Sequence, residues 1–263
     1  MINKIGIFDS GLGGLTVLNE VCKYNPGLNL VYFGDTARVP YGPRSIQTIT
    51  RYAKQDVAFL LAQGVQAILV ACGTVSATAL PALRETFDVP ILGVIETACA
   101  QAALATRTGH IAVLGTQATV ASGAYNRALA EINQNLRVTG LACPLFVPLI
   151  ENGFLSDDPI TRLTCERYLA PLRDTDVDTV ILGCTHYPFL AKAITETLPN
   201  VAFVNAGTAL ALALPKLLGE VEKQAQTQIE FYLSDEDSGF LPIANQFLDT
   251  VTVAGTRKAI LDT

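Results

Sequence analysis

The stretch AILVACGTVSA, Ala67 to Ala77, sets the reading of this chain: an aliphatic run ends in a cysteine, and Gly-Thr-x-Ser follows at once. A second stretch, TVILGCTHYPF from Thr179 to Phe189, has the same design, an apolar run, then Cys, Thr and a polar residue. Unbroken apolar runs of this kind suit strands buried on both faces, as in parallel sheets covered by helices. Open parallel sheets bind ligands at the carboxyl ends of their strands. Both cysteines fall at such ends, so the two stretches predict two thiols facing one site.

The rest of the chain fits that scheme. Ile5–Phe8, Leu30–Phe33, Ile91–Val94, Ile111–Leu114 and Phe203–Val204 also read as strands, and helix-length segments separate several of them. In Ser45–Gln63 the residues Ile46, Ile49, Ala53, Val57 and Leu60 recur at helical spacing, with Ser45 as a cap and Gly64 as a stop. Strand–helix alternation predicts an α/β fold with mostly parallel sheets. The chain also repeats: KIGIFDSG (from Lys4) and HIAVLGTQ (from His110) share a pattern at an offset of 110 − 4 = 106, and the cysteine stretches at 184 − 72 = 112. Two related α/β lobes would produce this, as would the frequent reuse of such patterns in α/β proteins.

Composition removes several classes. The 263 residues are half apolar and carry a net charge of −6, with no basic stripe, so nucleic acid is not an expected partner. The most apolar tract, ALALALPKLL from Ala209, is too short to span a bilayer, and the N-terminus lacks a long apolar signal region, so a cytoplasmic protein without a membrane partner is expected. Six cysteines stand no closer than 19 residues apart, which argues against a disulfide scaffold. With two histidines and no short ligand spacing, no metal site is expected.

Individual residues carry competing meanings. DSGLGGL follows a strand, but a dinucleotide fingerprint requires Gly where Thr16 stands. Asp9 is a strand-end carboxylate or a helix cap. Cys72 and Cys184 would each sit at a helix N-terminus, where the dipole favours thiolate. His186 is a base for the neighbouring thiol or an ordinary surface histidine. In DTARVPYGPRS, Tyr41 and Gly42 line the site or only build a turn, and Arg38 and Arg44 attract an anion or are simply solvated. Cys22, Cys99, Cys143 and Cys165 lack such context and read as structural.

Taken together, GIFDSGLGGL, DTARVPYGPRS, VACGTVSA, LGTQATVASGAY, CPLFVPLIENG and LGCTHYP resemble the glutamate racemases of the aspartate/glutamate racemase family. The resemblance implies two pseudo-symmetric α/β lobes, residues 1–95 with 207–263 and residues 96–206, with the site in the cleft between them. It implies cofactor-free interconversion of L- and D-glutamate, supplying D-glutamate for peptidoglycan, with glutamate as the small-molecule ligand and a homodimer as one oligomeric state. Carried over by motif, Cys72 takes the Cα proton from D-glutamate and Cys184 from L-glutamate. Asp9 assists Cys72, and His186 assists Cys184 with Glu151 nearby. Asp9, Ser10, Tyr41, Gly42, Gly73, Thr74, Thr185 and His186 match substrate-binding positions. The residues themselves agree: inverting a stereocentre by proton transfer needs an acid and a base on opposite faces of one carbon, and a pyridoxal enzyme would need a Schiff-base lysine, which no strand-end motif contains.

The chain departs from the family pattern at three points: Gly73 where Asn is usual, Thr97 where Pro is common, and Asn205 where Asp is common. Competing readings are a racemase for aspartate or another amino acid, a non-catalytic amino-acid-binding module, and a Cys-His hydrolase, which leaves the second cysteine unexplained.

Overall fold

The computed structural model describes residues 1–235, 244–245, 248, 253 and 255–261. Four strands form the first half of the fold: β1 (Ile5–Asp9), β2 (Asn29–Gly34), β3 (Ala67–Val70) and β4 (Ile91–Gly93). Four more follow: β5 (His110–Gly115), β6 (Arg137–Ala142), β7 (Thr179–Leu182) and β8 (Ala202–Asn205). The chain then adds β9 (Gln228–Leu233) and the short β10 (Arg257–Lys258). They build a six-stranded sheet, β10-β9-β2-β1-β3-β4, and a four-stranded sheet, β6-β5-β7-β8. The pairings within both sheets are parallel.

The central strand orders, β2-β1-β3-β4 and β6-β5-β7-β8, are the same order repeated. β1 corresponds to β5, and β3, which leads two residues on into Cys72, corresponds to β7, which leads two residues on into Cys184. The sequence repeats at offsets of 106 and 112 therefore mark structurally equivalent strands. The seven strands read from apolar runs are all present. β6 escaped because it is an edge strand with a half-exposed pattern, so its residues need not be apolar. β9 escaped for the same reason: its first three residues are partly or wholly exposed, and it lies against only β2 and the two-residue β10. Its parallel pairing with β2, Asn29 opposite Gln228 through Gly34 opposite Leu233, returns the end of the chain to the first sheet.

The predicted helix after Ser45 spans Ile46–Ala62; Ser45 Oγ accepts the Thr48 N–H at 3.3 Å, and Gly64 follows at φ +79°, a left-handed conformation that suits glycine. The apolar tract from Ala209 lies in the helix Ala206–Leu218, whose Ala209, Leu210, Ala211 and Leu214 are buried. Asn205 caps this helix, accepting from Gly207 N at 2.9 Å and Thr208 N at 3.3 Å, a task either Asn or Asp performs. Among the described residues no helix is long and apolar enough to cross a membrane.

Among the described residues, three apolar clusters hold the fold together. One fills the outer face of the first sheet around Phe8, Phe33, Val57 and Val70. Another fills the outer face of the second sheet around Leu114, Phe146, Leu182 and Tyr187. The third lies between the sheets and joins residues of both, among them Leu15, Leu18, Leu69, Ala98, Ile181 and Leu210. Helices Leu15–Tyr24, Ile95–Ala105 and Ala206–Leu218 pack together in that shared layer. Apolar area buried there, at roughly 25 cal/mol per Å², fixes the two sheets with their carboxyl ends around one cleft.

Candidate functional site

The strand ends converge on a cavity of about 330 Å³, within the size range of small-ligand sites. From the first sheet come Ser10 after β1, Tyr41 and Gly42 from the loop after β2, and Cys72, Gly73 and Thr74 after β3. From the second come Thr116 after β5, Glu151, and Cys184, Thr185 and His186 after β7. The two predicted thiols therefore line one space from opposite lobes, and they are near enough for the charge of one to act on the other.

On the first lobe, Cys72 is buried and its thiol donates to Ser10 Oγ at 3.6 Å. Burial, reinforced by the charge of Asp9, pushes this thiol up to about 12, although the Val75 N–H and Ser10 pull the other way. The expected lowering by a helix dipole is thus outweighed. Cys72 does precede a helix, but Gly73–Thr78 is six residues long and its start is buried, so desolvation of the charged form prevails.

Asp9 does not line the cleft. It is fully buried behind it, where its carboxylate accepts the Gly11 N–H at 3.0 Å and the Thr185 hydroxyl at 3.4 Å. Burial raises its pKa, and His186 and the Gly14 and Gly11 N–H groups pull it back. The turn's N–H groups thus serve Asp9, not an incoming anion. Gly14, with no side-chain cap, precedes the helix Leu15–Tyr24.

On the second lobe, Cys184 Sγ lies 3.9 Å from His186 Nδ1, and His186 Nε2 lies 3.2 Å from Glu151 Oε1. This is a thiol–imidazole–carboxylate chain. Burial pulls the His186 pKa down, but hydrogen bonds and charge from Cys184 and Glu151 prevail and push it up to about 10. Cys184 is not at the start of an α-helix: only a 3-10 turn, Tyr187–Leu190, follows it. An imidazolium, not a helix dipole, is the positive partner of this sulfur.

The other predicted residues divide. Ser10, Gly42, Gly73, Thr74 and Thr185 line the cleft. Tyr41 does too, but its hydroxyl bonds the buried carboxylates of Asp35 and, at 3.1 Å, Asp56; burial and those two carboxylates raise its pKa. Arg38 bonds the same pair, at 2.7 Å each, and stacks on Tyr52, so it anchors the loop and does not reach the cleft. The Arg44 side chain donates to the Pro40 carbonyl at 3.4 Å, and its backbone N–H to the Tyr41 carbonyl at 2.9 Å. Among the described cleft-lining residues there is no Lys or Arg. Thr97 Oγ1 donates to the Val94 carbonyl at 3.3 Å, away from the thiols.

Thr116 was missed as a site residue. It lines the cleft, and its hydroxyl lies 3.0 Å from that of Thr74 across the lobes and 3.0 Å from that of Thr119. The repeat carried the signal: Thr116 stands 116 − 10 = 106 residues after Ser10, its counterpart behind the equivalent strand. Cys143, read as structural, is buried, is pushed up to about 12 by burial, and also lines the cleft. Cys22, Cys99 and Cys165 are buried away from it.

A two-lobed α/β protein with one thiol from each lobe in a shared cleft is the class that this geometry defines. The pattern of the Asp/Glu/Hydantoin racemase family matches residues 16–214. A glutamate racemase of Geobacter metallireducens is 45% identical over 249 residues, 93% of this chain and 92% of that relative. Among solved structures, a glutamate racemase isoform from Bacillus anthracis superposes with a TM-score of 0.90 at 35% identity, covering 93% of each chain. The Francisella tularensis glutamate racemase, solved with D-glutamate, gives 0.89 at 33% identity over 99% of this chain and 98% of that one. The chain belongs to the Asp/Glu/Hydantoin racemase family.

Proposed function

We propose that this protein interconverts L- and D-glutamate without a cofactor, by proton transfer between two thiols at Cα, and so supplies D-glutamate for peptidoglycan. The observation that carries the reading is the placement of Cys72 and Cys184 in one cleft, each from the equivalent strand end of a different lobe. Glutamate is favoured as substrate by the relatives that match most of the chain.

In this reading Cys184 takes the proton from L-glutamate while Cys72 delivers one to the opposite face, and the roles exchange for D-glutamate. His186 holds the charge of Cys184, and Glu151 orients the imidazole through its 3.2 Å contact. Among the described residues no such cation acts on Cys72. The substrate's own ammonium, bound near Asp9 and Cys72, would supply it and draw the thiol down. With no Lys or Arg in the cleft lining, the carboxylates fall to hydroxyls and backbone N–H groups of Ser10, Gly42, Gly73, Thr74, Thr116 and Thr185. Asp9 acts from behind this layer through Thr185 and through its charge.

The same reading divides the chain into residues 1–95 with 207–263 and residues 96–206. The parallel pairing of β9 with β2 supports the discontinuous first lobe; residues 236–243, 246–247, 249–252, 254 and 262–263 of that lobe lie outside the described residues. The test of function is to follow optical rotation of L-glutamate, L-aspartate and other amino acids with purified protein and no added cofactor. Glutamate alone should lose rotation rapidly. Preferential racemisation of aspartate would replace the substrate assignment, and no racemisation of any amino acid would leave a binding module.

A further inference from the structure

Two glycines flank the two thiols in opposite order: Cys72–Gly73 on one lobe, Gly183–Cys184 on the other. They meet. A β-carbon on Gly73 would fall far inside contact distance of the Gly183 carbonyl oxygen, 3.2 Å from its carbonyl carbon and 3.6 Å from Cys184 Cα. Gly73 is not among the glycines with positive φ, so its backbone would accept other residues. What requires glycine here is the approach of the opposite lobe.

Neither side can easily retreat. Gly183 N donates to the Leu114 carbonyl at 2.8 Å, and a β-carbon on Gly183 would itself stand 2.8 Å from that oxygen and 3.2 Å from the Tyr125 hydroxyl. On the facing side Ala71 N donates to the Phe8 carbonyl at 2.9 Å and Ser76 N to the Cys72 carbonyl at 2.9 Å. The atoms that a side chain at 73 would strike are backbone, and they belong to the peptide that leads into Cys184. Gly13 also lets the lobes approach, but a β-carbon there would meet the Thr185 and His186 side chains.

We infer that Gly73 is a positioning residue: by having no side chain it sets the separation of the two thiols across the substrate's Cα. The inference rests on the two-thiol reading above. A proton can be taken from one face and replaced on the other only if both sulfurs reach the same carbon, and a misplacement of about 1 Å costs on the order of 100-fold in rate. It follows that an amide side chain at this position does not restore a substrate contact in this protein; it wedges the lobes apart.

The test compares Gly73→Ala and Gly73→Asn with Gly93→Ala, measuring kcat and KM in both directions alongside circular dichroism and thermal melting. Gly93 is a fair control, because a β-carbon there meets side chains outside the cleft, the flexible end of Leu80 at 2.6 Å and the Ser76 hydroxyl at 3.1 Å, and no backbone of the opposite lobe. Gly73→Ala should keep the wild-type fold and lose about 100-fold in kcat with KM changed by less than roughly threefold. Gly73→Asn should lose at least as much, while Gly93→Ala melts lower with its kcat within about twofold of wild type. A Gly73→Ala enzyme with near wild-type kcat overturns the inference. So does a Gly73→Asn enzyme with a lower KM and undiminished kcat, which would make position 73 a side-chain binding site. Failure of Gly73→Ala to fold also overturns it, because the contact lies between the lobes and not inside either core. Wild-type protein that racemises nothing would instead remove the two-thiol reading itself.

Discussion

The two halves of the cleft are built on equivalent strands but surround their thiols differently. Cys184 faces an imidazole that two partners hold at a pKa of about 10. Cys72 faces a hydroxyl, has a buried carboxylate behind it, and is pushed up to about 12. One half therefore carries its own positive charge, and the other waits for a ligand to bring it. Fold symmetry places the thiols; the residues two positions on, His186 and its counterpart Thr74, break the electrostatic symmetry. A near-symmetric reaction can thus be run by two unlike acid–base pairs, provided the substrate completes one of them.

Removing either thiol tests this contrast most severely. Cys72→Ala and Cys184→Ala should each lower racemisation by at least about 1,000-fold, since each removes a whole proton-transfer group. A strongly active Cys184→Ala enzyme would end the two-thiol assignment.

Next come the assisting groups. Because L- and D-glutamate have equal free energy, kcat/KM must fall equally in both directions for any variant, so the contrast shows instead in isotope effects. His186→Asn should slow turnover by roughly 100-fold and enlarge the primary deuterium effect with Cα-deuterated L-glutamate. Asp9→Asn should slow it by roughly 10- to 100-fold and enlarge the effect with the D-isomer. Equal isotope effects in both directions would show that neither group belongs to one thiol.

The same pair should differ in stability. The His186 pKa rises on folding from 6.5 to about 10, so its contribution to stability is complete below pH 6.5 and is lost as pH rises towards 10. The gap in melting temperature between wild type and His186→Asn should close over that range. The Asp9 pKa is also raised, by burial, so its ionised form opposes folding at neutral pH. Asp9→Asn should therefore melt higher than wild type at pH 7 while losing activity. A lower melting point would show that its hydrogen bonds to Gly11 and Thr185 outweigh burial.

The smallest effects are expected away from the cleft. Cys22→Ala, Cys99→Ala and Cys165→Ala remove buried thiols that do not line it; each should cost about 1 kcal/mol of stability and leave kcat within roughly twofold. A larger loss of kcat would show that the cores around these cysteines, between the sheets for Cys22 and Cys99 and outside the second sheet for Cys165, transmit to the thiols.

Much of this was legible in the chain because the features were local. Doubly buried strands write unbroken apolar runs, and the ends of β3 and β7 name the thiols. The repeat offset gives the lobe equivalence and, followed one residue past β1, would have given Thr116. What local sequence conceals is which charge a buried group feels. The helix start after Cys72 suggests a lowered thiol pKa, but the depth of its burial is a property of both lobes together. Likewise Tyr41 and Arg38 read as candidate ligands in a loop, while their partner Asp56 lies on a separate helix. In sequence Gly73 is only a departure from the family's usual Asn; the facing carbonyl of Gly183, 110 residues away in sequence, turns it into a spacer.

The central claim is that the proton removed and the proton delivered belong to different sulfurs on opposite faces of Cα. The direct test is the initial rate with protiated L-glutamate in D2O, reading the Cα hydrogen of both isomers by NMR or mass spectrometry before equilibrium. Two facing thiols predict D-glutamate deuterated at Cα while the remaining L-glutamate keeps its protium. D-glutamate that retains the substrate's protium, or deuterium entering L-glutamate as fast as product forms, would show a single group serving both faces and would contradict the account.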